Sequence, residues 1–591
     1  MIQGIGASAG IAIGRAFVLP NWEWELPEQK IDVADFAREL ERVYEGIRTS
    51  KHEIIQMKDE LREVVGTEES NIFDAHIAIL DDPVFMNEIQ GIIRRQYKAA
   101  EVAVKEAIDH FVTMFDLLDD EYMKERALDI KDVGNRLLKH LLGAPEITLP
   151  SDTQPFILIA KELSPSQLVH LNPQNVLGIV TLSGSAVSHS SIMARALSIP
   201  LVVGIEAKLE EPIQTGQLII IDGSDGSLYL DPSEKIIETY SALNEKQMEA
   251  KRQLHEIVGH LPVTLDGKTL KLAANISSYK ELDIALNSGA QGVGLFRTEF
   301  LYMDRNRFPT EEEQFDVYKN VVERLNGHSL VIRTLDIGGD KHLDYFQLPE
   351  EDNPFLGYRA IRISLAQEEL FKTQLRAILR ASSYGQVKLM YPLISSVDEV
   401  RAANRLLADA KRELDAEGKS YDSGMKVGIM IEVPAAVLIA DLLAEEVDFF
   451  SIGTNDLTQF TLAVDRMNEQ ISHLYDPFHP GLLRMLTQTV EAAKRSGISV
   501  SVCGELAGDY RALPIWLSLD VDELSMSSHS ILTLKERLLQ TSQEESRKLM
   551  KHVFECRTSG EIVSGLSAFM GEAEEQSVKR TVSGKSDRAQ A

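Results

Sequence analysis

Through the second half of the chain, short apolar runs bounded by turn residues alternate with longer amphipathic stretches. Eight runs read as strands: Leu270 to Ile276, Gly292 to Phe296, Leu330 to Leu335, Lys388 to Leu393, Val427 to Ile431, Asp448 to Ile452, Val500 to Cys503 and Glu523 to Met526. Regular strand–helix alternation marks parallel βα units, because parallel strands need a crossover connection between them. Eight such units predict a TIM (β/α)8 barrel.

The first half reads differently. Ile11 to Leu19 fits a strand, and from Asp32 to about Leu142 the pattern turns helical. Phe36, Leu40, Val43, Ile47, Ile54 and Met57 keep helical spacing, which recurs through Ile72 to Ile93 and Val102 to Leu117. Three or four antiparallel helices are the simplest packing. Short strands return at Pro155 to Ala160, Val176 to Thr181, Leu201 to Gly204, Gln217 to Asp222 and Ser227 to Leu230. The chain thus reads as a multidomain α/β protein. An α/β domain of residues 1–30 and 146–231 is interrupted by a helical subdomain, 31–145. A charged helical linker, 232–260, leads to the barrel, 261–570, and a polar tail, 571–591, has too little to bury and is expected to be disordered.

Composition narrows the function. With 591 residues, 44% hydrophobic and 26% charged, the chain exceeds one core and reads as soluble and globular. A formal net charge of −30 without any basic block argues against nucleic acid, whose binding needs a cationic face. It favours a basic protein partner instead. Two cysteines, Cys503 and Cys556, exclude a disulfide framework and fit a reducing cytoplasm. Met1 to Ala12 lacks the features of a signal peptide. The longest apolar stretch, Val427 to Leu443, is broken by Glu432, Pro434 and Asp441, so no membrane span is expected.

Two regions carry candidate chemistry. In residues 183–195, Ser-Gly-Ser-Ala-Val-Ser-His-Ser-Ser-Ile-Met-Ala-Arg, a loop of small and hydroxyl residues opens a helix expected at Ile192 to Leu197. Such a loop offers N–H and hydroxyl donors to an anion, and the neutral imidazole of His189 is a nucleophile towards phosphorus. On the loop alone, a capping or packing histidine is the commoner outcome. The second region follows the barrel strands, where barrel enzymes place their active sites: Arg297, Arg333, Glu432, Asn455, Asp456 and Cys503. Glu432 and Asp456 supply hard oxygen ligands for Mg²⁺, which takes one or two carboxylates and completes its shell with water and substrate oxygens. Arg297, Arg333 and Arg466 supply forked, permanently charged donors for a compact substrate bearing phosphate and carboxylate groups. A lone cysteine on a strand is ordinarily a packing residue.

Ser188-His189-Ser190-Ser191-Ile192-Met193-Ala194-Arg195 resembles the phosphohistidine signature of the phosphoenolpyruvate-utilising enzymes. Four further motifs occur in order: Gly-Leu-Phe-Arg-Thr-Glu-Phe-Leu (294–301), Asp-Ile-Gly-Gly-Asp-Lys (336–341), Asn-Pro-Phe-Leu-Gly-Tyr-Arg (353–359) and Ser-Ile-Gly-Thr-Asn-Asp-Leu-Thr-Gln (451–459). From about Ile5 to about Met570 the chain is similar to the Enzyme I family of the bacterial sugar phosphotransferase system. The resemblance implies that His189 accepts the phosphoryl group of phosphoenolpyruvate, bound by Arg297, Arg333, Asn455, Asp456 and Arg466. It implies Mg²⁺, with Mn²⁺ as the alternative, and Cys503 as the acid that protonates the enolate. It further implies an HPr-type carrier docked by the inserted helices, a homodimer formed through the barrel, and a hinge near the linker. An acidic face of Glu68, Glu69, Asp74, Asp81 and Asp82 is expected to steer the carrier.

One departure stands out. The family usually reads Gly-Gly-x-Thr-Ser-His where this chain reads Gly184-Ser185-Ala186-Val187-Ser188-His189. A lost glycine and a lost hydroxyl predict normal substrate binding with slower phosphoryl transfer, unless neighbouring serines compensate. The alternative reading is therefore a divergent paralogue with slowed or regulatory phosphotransfer. A dikinase or phosphoenolpyruvate synthase needs a nucleotide-binding domain for which this chain is too short. A non-catalytic scaffold would keep the arginines but have no need of Cys503.

Overall fold

The computed structural model describes residues 1–571 apart from 20–25, 27–29, 65–71, 117–120, 145–154, 170, 172–174, 186–187, 198, 210, 304, 340, 342, 344 and 469. All but the first residue of the expected tail lies outside the described residues. Two compact units divide at Met1–Ala250 and Lys251–Ala591.

The first unit is built on an eight-stranded mixed sheet: β1 (Ile2–Gln3), β2 (Ile5–Ser8), β3 (Ile11–Val18), β4 (Phe156–Ala160), β5 (Val176–Thr181), β6 (Leu201–Val203), β7 (Leu218–Asp222) and β8 (Ser227–Leu230). Its order is β1-β8-β7-β3-β4-β5-β6-β2. Pairing is parallel from β3 through β6 and antiparallel elsewhere. β1 and β2 were not anticipated, being too short and glycine-rich to show alternation. β4 is buried on both faces: Phe156, Leu158 and Ala160 face one core, Ile157 and Ile159 the other. The first of these cores is shared with Val43, Ile54, Phe73 and Ile89 of the helices, so the inserted helices and the sheet form one hydrophobic body.

Five described helical segments make up the insert where three or four were expected: Phe36–Val64, Ile72–Asp81, Pro83–Gln96, Ala100–Asp116 and Glu121–Leu142. The extra break is local. Pro83 starts a new helix, and Asp82 caps it by accepting from Val84 N at 2.7 Å. A long helix, Glu234–Glu256, occupies the expected linker.

In the second unit all eight expected strands are present, with no end shifted by more than two residues: β9 (Lys271–Ile276), β10 (Gly292–Phe296), β11 (Ser329–Arg333), β12 (Val387–Tyr391), β13 (Lys426–Ile431), β14 (Phe449–Ile452), β15 (Ser499–Val502) and β16 (Glu523–Met526). They close in order into an all-parallel barrel. Alternate residues such as Leu330, Ile332, Ile429, Ile431, Val500 and Val502 face the outer helices. Between them Leu295, Val331, Met390, Met430 and Phe449 fill the interior as an apolar plug beneath the C-terminal rim. No helix among the described residues is long and apolar enough to cross a membrane.

Candidate active site

After β5 the chain turns through Gly184, at φ 114°, into the helix His189–Ala196. The helix starts earlier than the expected Ile192, so His189 is its first residue and Ser190 and Ser191 lie in its first turn. Ser188 is the N-cap, accepting from Ser191 N at 3.4 Å. Ser188 Oγ (3.0 Å) and Ser191 Oγ (2.7 Å) both donate to the Ser185 carbonyl, which ties the loop to the helix start. Ser185 is not among the positive-φ residues, so the backbone cost expected from its replacing glycine is absent; Gly184 makes the turn. Ala186 and Val187 lie outside the described residues.

At the barrel rim, strand alternation aims Arg333, Glu432 and Cys503 inward, each two residues beyond the inward-facing Val331, Met430 and Ser501. Arg333 donates to Glu299 Oε1 at 2.8 Å and pairs with Asp336 Oδ2 at 3.0 Å. Arg359 bridges Asp336 Oδ1 (3.0 Å) and Asp456 Oδ2 (3.3 Å), and Arg466 approaches Asp456 Oδ1 at 3.6 Å. Lys341 stands 3.9 Å from Glu299 Oε2. Although burial disfavours their charged forms, the facing arginines hold the Glu299 and Asp336 carboxyls below their usual range, and the carboxylates hold Arg333 and Arg359 charged. The network is not saturated. Among the described residues, Arg333 Nε, Arg359 Nε and Nη1, and Arg466 Nη1 are buried without a hydrogen-bond partner. Arg297, half-buried, has no ion-pair or side-chain hydrogen-bond partner among the described residues. Unpartnered buried donors are costly unless an acceptor arrives, and four guanidinium groups in one mouth suit a small polyanion.

The pKa of Glu432 is pushed up, to about 8, by burial and then by the neighbouring charges of Asp456 and Asp336. A residue larger than glycine at 453 would crowd it, since a Cβ there would lie 3.0 Å from Glu432 Oε2. Among the described residues no group of three or more His, Cys, Asp or Glu converges as a protein-only metal cage. Glu432 and Asp456 nevertheless fit a Mg²⁺ ion: their mutual repulsion is relieved by a cation, and this metal needs only one or two carboxylates.

Cys503 is buried against the plug, and burial pushes its thiol pKa up to about 11. It therefore stays protonated, and the Ser451 hydroxyl and the Glu432, Arg333 and Arg297 charges all act on it. Asn455 is less open than expected. Its Nδ2 donates to Glu505 Oε1 at 3.2 Å and its Oδ1 accepts from Glu505 N at 2.9 Å, so the side chain clips the start of helix Thr454–Leu462 to the turn that follows β15. Glu299, Asp336 and Arg359 received no role from the sequence. They lie within three of the quoted motifs; for Glu299 and Asp336 the position just past a strand end was a signal, whereas Arg359 lies on the long loop after β11.

Of the expected acidic face, Asp74 pairs with Lys58 at 2.6 Å, Asp81 pairs with Lys51, and Asp82 serves as a helix cap. Glu68 and Glu69 lie outside the described residues. Beside Asp82 the helices form an open pocket of about 300 Å³ lined mainly by Ile79, Phe85, Phe111, Met114 and Ile130, together with Arg126.

A parallel barrel with unpartnered guanidinium donors and clustered carboxylates at its C-terminal rim defines an enzyme for a small, strongly anionic substrate. Three family models match the chain: "PEP-utilising enzyme, N-terminal" over residues 3–126, "PEP-utilising enzyme, mobile domain" over 153–226 and "PEP-utilising enzyme, PEP-binding domain" over 251–543. The phosphoenolpyruvate-protein phosphotransferase of Bacillus subtilis (strain 168) is 45% identical over 564 residues, covering 95% of this chain and 98% of that one. That of Geobacillus stearothermophilus is 45% identical with 95% and 97% covered. A solution structure of Enzyme I (nEIt) is 33% identical, covers 42% of this chain and all of its own, and has a TM-score of 0.35. The chain belongs to the family of phosphoenolpyruvate-protein phosphotransferases.

Proposed function

We propose that this chain takes the phosphoryl group of phosphoenolpyruvate onto His189, releases pyruvate, and passes the group to a histidine of an HPr-type carrier that feeds sugar uptake in the cytoplasm. The observation that carries the reading is the set of buried guanidinium nitrogens at the barrel rim that have no hydrogen-bond partner among the described residues. Arg297, Arg333, Arg359 and Arg466 bind the phosphate and carboxylate, Asp456 orients Arg359 and Arg466, and Asn455 fixes the turns that follow β14 and β15. Glu432 and Asp456 would hold Mg²⁺, or Mn²⁺, which when bound neutralises phosphate charge.

An imidazole nitrogen of His189 attacks phosphorus, the bridging P–O bond breaks, and its electron pair leaves on the enolate oxygen of pyruvate. The Cys503 thiol delivers its proton to the enolate carbon, giving pyruvate, and the thiolate is reprotonated from solvent. Phospho-His189 then transfers its group to the carrier. The apolar pocket beside Asp82 supports docking by apolar contact more than by long-range charge. Homodimerisation is part of this reading, with Leu438 (66% exposed) and Leu442 (52%) as apolar surface for a second copy. A pyruvate-release assay with Mg²⁺ and a carrier tests the reading. Turnover that needs both phosphoenolpyruvate and carrier is expected, and binding without turnover would favour a scaffold.

A further inference from the structure

The described non-glycine residues at positive φ are Tyr97, Asp231, Asn326, Ala360, Leu393, Ala463 and Asp520. All but two are exposed or half-buried and follow the end of a helix or strand. Ala360 and Leu393 are 1% and 2% exposed, and both border the rim. Ala360 adopts φ 51° and ψ −124°, a combination that strains an L-residue and costs glycine nothing. Such a conformation persists only where its surroundings overdetermine it. Here Ala360 N donates to Ile337 O at 3.0 Å. Gly338 approaches so closely that a Cβ there would stand 2.5 Å from Arg359 Cβ and 2.9 Å from Tyr358 O. Between these contacts Arg359 is held with Asp336 and Asp456 on one nitrogen, Phe355 beneath its guanidinium at 5.6 Å, and Nε and Nη1 open.

We propose that the strained backbone at Ala360 is a positioning element for the reaction, fixing Arg359 so that its two open nitrogens meet the anionic groups of the substrate in one orientation. Ala360 touches no substrate and acts through Arg359. The inference rests on the rim being the phosphoenolpyruvate site.

The test is Ala360→Gly in the full-length chain, on a His189→Ala background in which substrate is not consumed. Glycine relieves the strain, which offsets the lost methyl and the freer unfolded chain, so the melting temperature is expected to stay level or rise. Affinity for phosphoenolpyruvate with Mg²⁺, read by calorimetry, is expected to fall about fivefold or more, because small misplacements of a binding group are costly. Asn326→Gly, which relieves positive φ at an exposed turn, is expected to leave affinity unchanged. Equal affinity in the Ala360→Gly and parent proteins overturns the proposal, as does a loss of affinity accompanied by a lowered melting temperature. Absence of phosphoenolpyruvate binding in the parent is a separate result that overturns the reading of the rim and this inference with it.

Discussion

The backbone amide of Leu393 donates to Glu432 Oε1 at 2.6 Å from a residue held at φ 54°. A leucine in that conformation is under strain, and the strain serves to pin a buried carboxylate beside Asp456 and Asp336. The pinned group is therefore short of positive charge, which a proton or a divalent cation supplies.

Glu432 should make metal-free stability depend on pH. Its folded pKa of about 8 lies above the ordinary carboxyl value of 4.5. The contribution is thus fully present below about pH 4.5 and is lost as pH rises through about 8. Glu432→Gln should flatten this slope and raise the melting temperature of the metal-free protein at pH 8. Mg²⁺ binding at pH 7 should release a proton in the native chain and not in the variant, measured by calorimetry in buffers of different ionisation enthalpy. Equal proton release in both would contradict the assignment.

Arg333 and Arg297 should separate stability from binding. Arg333 is locked between buried Glu299 and Asp336, so Arg333→Ala should cost about 3–5 kcal/mol of stability by leaving them unpaired. Those carboxyls are held low in the native chain, so the variant's deficit should shrink as acid protonates them. Arg297→Ala strands no carboxylate and should weaken phosphoenolpyruvate binding while leaving the melting temperature unchanged. Thermal melts beside binding isotherms decide the point, and a similar stability loss in both variants would count against it.

Cys503 should act as an acid and not as a nucleophile. With its thiol protonated up to about pH 11, alkylation at pH 8 should label Cys556 first. Cys503→Ala should lower turnover by about 10²-fold or more while leaving substrate affinity intact. Undiminished turnover would return Cys503 to a packing role.

Much of this architecture was legible in the sequence because each barrel strand carries its own apolar run, and the residue that ends the run points into the mouth. Arg333, Glu432 and Cys503 were readable in that way. Arg359 was not, since it sits on a loop whose path is set by Gly338 and by the conformation of Ala360, neither of which periodicity encodes. Nor was the engagement of Asn455 with Glu505, or the pairing of Asp74 and Asp81 with lysines on a neighbouring helix. Charge runs show which residues are acidic, and only the packing shows which are already neutralised. At the loop before His189 the sequence flagged Ser185 as a strained replacement, whereas its carbonyl is the point on which the Ser188 and Ser191 hydroxyls converge.

The most direct test of the whole account is the position and source of one phosphate. Full-length protein incubated with phosphoenolpyruvate labelled at phosphorus and Mg²⁺ should gain an acid-labile label that peptide mapping places on His189, with pyruvate released in equal amount. His189→Ala should take up none while still binding phosphoenolpyruvate, because the binding groups lie in the barrel. Label on any other histidine, or pyruvate release from the His189→Ala protein, would contradict the account.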